Sequence, residues 1–290
     1  MAIRFYPALE IEWPSPPGAE RIDELIALLD DEQPTAVDER ASGVAVFFSS
    51  ADRRDRALAL SRAFAPEATI TSISVSDEAW AERSQAALAP IRAGRVIVTP
   101  PWARETVPAS AGDVVITIVP SMGFGTGHHA STRLCLASMQ ALDLENRSVL
   151  DVGTGSGVLA IAAWRLGAAR VVGIDVDADA LASARENVEL NGAEAAVQLA
   201  AFDLAQAPSA FDVGFDLVVA NLTGAVIARH SRELLSLVAP RGSLIVSGIQ
   251  VDEEPAVRRA LEEDAAATVS KRIDEDHWVA MHVVRGAHSS

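Results

Sequence analysis

Two periodicities in the spacing of apolar residues divide this chain into strands and helices. Residues 5–13 read as a strand that Pro14, Pro16 and Pro17 end, and Ile22, Leu25, Ile26, Leu28 and Leu29 then mark one helical face. Strand patterns follow at 34–39 and 43–49, with Ala41-Ser42-Gly43 as the turn between them. A helix over 51–64 and an alternating strand from Thr69 to Val75 complete the set. This β-α-β-β-α-β order predicts a small α+β, ferredoxin-like domain over residues 1–75. The segment holds no histidine, cysteine or glycine loop, which suits recognition or dimerisation and not catalysis.

A linker over 76–94 follows, mostly a helix from Asp77 to Leu88 with Ser76 as its N-cap. Residues 95–290 form the second domain. Strands are expected at 95–99, 114–119, 149–151, 171–174, 196–200, 215–220 and 243–247. Helices are expected at 130–142, 159–166, 178–190, 224–238 and 253–263. Such alternation predicts an α/β, Rossmann-like, mostly parallel sheet. Two strands in succession at the end, 267–273 and 277–285, predict an antiparallel edge.

The most informative stretch runs from Ser148 to Asp175. A buried strand ends on Asp151, glycines follow at 153, 155 and 157, a helix runs to Gly167, and a second strand ends on Asp175. The glycines let the backbone turn sharply and let a ligand lie against it. An acid at the tip of the second strand can accept both hydroxyls of a ribose, and Asp175 stands close to the expected distance of about 20 residues from the first glycine. A dinucleotide site wants G-x-G-x-x-G with a pyrophosphate on the helix N-terminus. Here the third glycine comes one place early, and Asp151 would repel a pyrophosphate while suiting a ligand with a cationic amino-acid end. The D-x-G-x-G-x-G spacing resembles motif I of the S-adenosylmethionine-dependent methyltransferases.

The 290 residues carry a net charge of −16, which argues against direct nucleic-acid binding, a task for a basic face. The same charge is compatible with a basic protein partner. Cys135 is the sole cysteine, so no internal disulfide can form. No apolar run approaches a membrane span, and the N-terminus reads as a strand and not a signal peptide. A cytoplasmic protein without membrane contact is expected, with the monomer favoured.

A second glycine-rich stretch, Pro120-Ser-Met-Gly-Phe-Gly-Thr-Gly-His-His-Ala-Ser-Thr, precedes the Asp151 strand by one helix. It can therefore fold over the carboxyl end of the sheet, where ligands bind. The neighbouring His128 and His129 are poorly placed to share one ion, and the other histidines lack ligand spacing, so no metal is expected.

Phe124-Gly-Thr-Gly-His-His-Ala-Ser-Thr resembles the F-G-T-G-x-H-x-T-T signature of the PrmA family, methyltransferases of large-subunit ribosomal protein eleven. Trp80 with Pro90-Ile91-Arg92-Ala93-Gly94-Arg95, Pro100-Pro101-Trp102, Val218-Val219-Ala220-Asn221-Leu222 and Ser247-Gly248-Ile249 are similar to further family segments, in the family's order. Two departures stand out: Ala130 where proline is usual, and Thr223-Gly224 where small apolar residues are usual. The resemblance implies a protein lysine methyltransferase that uses S-adenosyl-L-methionine. Asn221 is then the catalytic candidate, orienting the incoming amine and lying against the cofactor. Thr126, Gly127 and His129 close over the methionine end, and Gly153 and Gly155 lie under the cofactor. Asp151 anchors the ammonium, Asp175 the ribose and Asp203 the adenine amino group. The alternatives are another protein lysine or a small amine as substrate, or a non-catalytic cofactor-binding scaffold. An intact Asn221 favours the enzyme, and Asp151 with the early third glycine disfavours a nucleotide-dependent oxidoreductase.

Overall fold

The computed structural model describes residues 5–29, 32–40, 42–76, 89–120, 128–209, 211, 214–263 and 267–286. They form two compact units, one from residues 5–76 and one from residues 89–119 and 128–286. The connecting helix expected over 77–88 lies outside the described residues, as does Trp80.

The first unit runs β1 (Phe5–Glu12), α1 (Ala19–Leu28), β2 (Pro34–Arg40), β3 (Gly43–Phe48), α2 (Ala51–Phe64) and β4 (Thr69–Ser76). Its antiparallel sheet has the order β2-β3-β1-β4. Alternation sorts the side chains: Leu9, Ile11, Val44, Val46 and Phe48 pack with Ile22, Leu25 and Ala57 of the two helices. Ala8, Ala45, Phe47 and Val75 form a smaller cluster on the opposite face. Ser50 caps α2, its Oγ accepting from the Arg53 N–H. Ser76 is the last residue of β4, and the helix it was expected to cap lies outside the described residues.

The second unit begins with β5 (Ile91–Ala93), β6 (Val96–Thr99) and β7 (Val114–Thr117), a small sheet of its own. Residues expected to be linker thus already pair in a hairpin, turned by Gly94 at φ 60. After α3 (Ala130–Met139) come β8 (Ser148–Val152), α4 (Val158–Arg165), β9 (Arg170–Asp175), α5 (Ala178–Leu190), β10 (Val197–Ala201) and β11 (Phe215–Asn221). The helix expected over 224–238 is two helices, α6 (Gly224–Arg229) and α7 (Ser231–Ser236), broken where His230 leaves helical geometry. β12 (Val238–Gln250), α8 (Glu254–Glu262), β13 (Ala267–Glu275) and β14 (Trp278–Arg285) follow.

The main sheet has the order β10-β9-β8-β11-β12-β14-β13. Its first five strands are parallel, and β14 and β13 add antiparallel at the edge, as the pattern predicted. Both faces are covered, which is why the central strands read as unbroken apolar runs. Val149, Val171 and Leu217 pack with α3, α4 and α5. Leu150, Val172, Val218 and Leu244 pack with Ile227, Leu234, Val257 and Leu261 of α6, α7 and α8. No helix among the described residues is long and apolar enough to cross a membrane.

Candidate active site

The parallel strands end together. Val152 of β8 is level with Ile174 of β9 and with Ala220 of β11, so Gly153, Asp175 and Asn221 come next on three neighbouring strands. This carboxyl edge is where ligands of open α/β sheets bind.

At the tip of β8 the chain makes a turn that only glycines follow without strain: Gly153, Gly155 and Gly157 take φ of 71, 53 and 81. The turn is pinned from several sides. The N–H groups of Gly153 and Thr154 both donate to the Ile174 carbonyl, at 2.9 and 3.0 Å. The Gly155 N–H donates to Asp175 Oδ2 at 2.9 Å. A Cβ on Gly153 would lie 2.5 Å from Leu222 Cδ2. Below the turn, a Cβ on Gly173 of β9 would come 2.8 Å from Thr154 Oγ1 and 2.8 Å from Leu199 Cδ2.

Asp151, level with Gly173, is 1% exposed. Its Oδ2 accepts from Thr154 Oγ1 at 2.7 Å and from the Ala160 N–H, in the first turn of α4, at 3.1 Å. Its Oδ1 is buried with no hydrogen-bond partner among the described residues. Burial raises its pKa to about 7; the Thr154 and Ala160 hydrogen bonds oppose that rise and the charge of Asp175 adds to it. A buried acceptor left over beside a glycine turn fits a cationic donor from a ligand.

Asp175 is built differently. Its Oδ1 accepts from the Asp177 N–H at 3.0 Å while Oδ2 holds Gly155, so two backbone donors orient a half-buried carboxylate. Val176, which follows, is 73% exposed, an apolar surface beside a polar rim that the sequence reading missed. An apolar residue directly after a strand-end acid was the available clue. Asp203, two residues beyond the Ala201 partner of Asp175, is exposed, and its Oδ1 accepts from the Ala205 N–H at 2.9 Å.

On the other side of β8, Asn221 Nδ2 donates to the buried Thr132 Oγ1 of α3 at 3.2 Å, and its Oδ1 has no hydrogen-bond partner among the described residues. Gly248 leaves room for that oxygen, since a Cβ there would sit 3.1 Å from it. Thr132 stands in the F-G-T-G-x-H-x-T-T stretch, but nothing in its spacing announces a bond to a strand 89 residues away. His129 caps α3, with Nδ1 accepting from the Ser131 N–H at 3.3 Å. Its ring meets Trp278 edge-on at 4.5 Å between centroids. Burial first, then the Arg133 charge, lower its pKa, so the ring is neutral at pH 7. Arg133 itself bonds the His128 carbonyl and Glu275 Oε1, joining this loop stem to the β13–β14 turn. Thr126 and Gly127 lie outside the described residues. No group of three or more metal-ligating side chains occurs among those described.

A mostly parallel sheet in this order, with a glycine turn between two strand-end aspartates, is the arrangement of the Rossmann-like, class I methyltransferases, whose methyl donor is S-adenosyl-L-methionine. Comparison with known proteins narrows this. The model of the family described as "Ribosomal protein L11 methyltransferase (PrmA)" matches residues 22–286, and the chain belongs to that family. A ribosomal protein L11 methyltransferase from Deinococcus radiodurans is 38% identical over 203 residues, 69% of this chain and 74% of that protein. One from Geobacter sulfurreducens is 45% identical over 204 residues, 70% of this chain and 64% of that protein. The crystal structure of ribosomal protein L11 methylase from Lactobacillus delbrueckii subsp. bulgaricus superposes with a TM-score of 0.61 at 29% identity, covering 69% of this chain and 98% of that one.

Proposed function

We propose that this enzyme methylates amine groups of ribosomal protein L11, lysine side chains above all, in the cytoplasm and as a monomer. The observation that carries the proposal is Asn221: a strand-end amide whose nitrogen is held by Thr132 and whose oxygen is left to accept, one strand from the glycine turn. Bound S-adenosylmethionine supplies a methyl group already activated on a sulfonium. What remains for the chain is to hold, orient and desolvate.

Asp175 accepts from the ribose hydroxyls, held in place by its two backbone donors. Val176 covers one face of the adenine, and Asp203, with a carboxylate oxygen beyond the one that Ala205 uses, accepts from the adenine amino group. Gly153 and Gly155 keep the floor free of side chains. Asp151 Oδ1 receives the ammonium, and Thr126, Gly127 and His129 close that end.

A lysine side chain has an unperturbed pKa near 10.4, so freeing its lone pair at pH 7 costs about 4–5 kcal/mol. A desolvated site beside a sulfonium reduces that cost, because both effects disfavour the ammonium. Asn221 Oδ1 then accepts one N–H of the neutral amine and aims its lone pair away from itself, towards the methyl. The chain's charge of −16 suits a basic substrate. The first unit, with its β-α-β-β-α-β order, is the ferredoxin-like module that receives the protein substrate, over residues 1–75, and the linker that follows it ends before the β5–β6 hairpin. Undermethylated ribosomes incubated with the enzyme and labelled cofactor should yield label on L11 lysines. Label on another protein alone would overturn the substrate and leave the chemistry standing.

A further inference from the structure

Two buried asparagines of α5 and its C-cap tie a strand to the glycine turn, and the cofactor reading above gives neither of them a role. Asn187 is 0% exposed and Asn191 8%. Asn191 treats Thr117 as a neighbouring strand would: its Oδ1 accepts from the Thr117 N–H at 2.9 Å and its Nδ2 donates to the Thr117 carbonyl at 2.6 Å. One helical turn earlier, Asn187 Oδ1 accepts from the Val119 N–H at 2.8 Å. The match is geometric. Residues four apart on a helix rise about 6 Å, and N–H groups two apart on an extended chain are about 6.6–6.8 Å apart. The two amides thus complete the free edge of β7, whose other edge pairs with β6.

Asn187 does one thing more. Its Nδ2 donates to the Ser156 carbonyl at 2.9 Å, inside the glycine turn. On the same face, Ala184 packs against Gly157, where an added Cβ would lie 3.3 Å from the Ala184 Cβ. One amide therefore holds the turn with its nitrogen and, with its oxygen, the chain just before the F-G-T-G segment. A strand partner for β7 needs only the acceptor; the bond to Ser156 serves the turn.

We propose that Asn187 is a positioning residue for the cofactor, fixing the glycine turn and the Val119 stem in one arrangement, while Asn191 secures β7 alone. The proposal rests on the reading of the glycine turn as the S-adenosylmethionine site. Asn187→Asp keeps the acceptor for Val119 and turns the donor towards Ser156 into an acceptor; Asn191→Asp makes the same change one turn away. S-adenosylhomocysteine affinity by calorimetry, thermal midpoint, and KM against kcat would be measured for both.

Asn187→Asp should weaken affinity at least tenfold and raise the cofactor KM while kcat changes less. Asn191→Asp should leave affinity within twofold even where its thermal midpoint falls as far. Equal losses in the two variants, or full affinity in Asn187→Asp, would overturn the proposal. Should Asn187→Asp fail to fold, hydrogen exchange of the unaltered protein decides. Adding S-adenosylhomocysteine should slow exchange at Val119 in step with Gly155, and an unchanged Val119 rate would count against the coupling. A wild-type protein that binds no S-adenosylhomocysteine would instead remove the site reading itself.

Discussion

Asp151 and Asp175 stand near the ends of adjacent parallel strands, Asp175 two residues further along than Asp151, yet the fold treats them in opposite ways. Asp175 is half-buried and has a backbone N–H on each oxygen, so it is oriented before any ligand arrives. Asp151 is buried, has both its donors on one oxygen, and is pushed up to a pKa of about 7 by desolvation. The first is a prepared anion. The second is a carboxyl group that costs free energy to ionise until something cationic meets Oδ1. Identical side chains thus differ through their surroundings, one oriented by two backbone donors and the other left with an unanswered buried oxygen.

The comparison can be broken most directly at Asp175. Asp175→Ala should weaken S-adenosylmethionine binding by about 2–5 kcal/mol in calorimetry, since a fixed, hydrogen-bonded charge is lost. Unchanged affinity would move the ribose elsewhere. Asn221→Ala tests the opposite flank and should lower kcat about 100-fold, near 2.7 kcal/mol, with cofactor affinity altered much less. An affinity loss matching that of Asp175→Ala would make Asn221 a binding group and not an orienting one.

Asp151→Asn sharpens the contrast. Removing the charge while keeping the shape should cost about 1.5–3 kcal/mol of cofactor affinity at pH 8, the range for a hydrogen bond to a charged group. The free protein should meanwhile gain stability at that pH. The folded pKa lies above the ordinary 3.8, so the folded state holds a proton that the unfolded chain has released. Stability of the wild type is therefore greatest below about pH 4 on this account and declines as pH rises to about 7. Denaturation of the two proteins between pH 5 and 8 should show the difference growing with pH; parallel curves would mean Asp151 is already ionised.

The smallest effect is a proton count. If an ammonium meets Oδ1, binding near pH 7 should release a fraction of a proton, and affinity should weaken as pH falls below 7. Calorimetry in two buffers of different ionisation enthalpy would read it. No release, or uptake, would place the ammonium away from Asp151.

Much of this was written in local spacing. The glycine turn with its two acids, the parallel order and the antiparallel edge all follow from short-range pattern, because apolar period and turn chemistry act within a few residues. Asn221 came from a resemblance, and the structure supplies the Thr132 bond that orients it. What spacing could not reveal were side chains standing in for backbone. Gln140 takes Arg95 N–H on Oε1 and gives Nε2 to the Ala93 carbonyl, so a segment expected to be linker is held as a hairpin. Asn187 and Asn191 do the same for Val119 and Thr117, across 68 and 74 residues. Two asparagines four apart on the buried face of a helix were visible, but their partners were not. The break at His230 escaped for the opposite reason: helical apolar spacing continues across it while the backbone does not.

Gly173 carries a last implication. In the middle of an apolar strand, alanine is ordinarily a harmless or even strengthening replacement for glycine. Here the added methyl group would strike the hydroxyl that steadies the Asp151 carboxylate. The glycine turn is therefore guarded from beneath: a one-carbon change in the interior would reach the Asp151 carboxylate with every residue of the turn itself left intact.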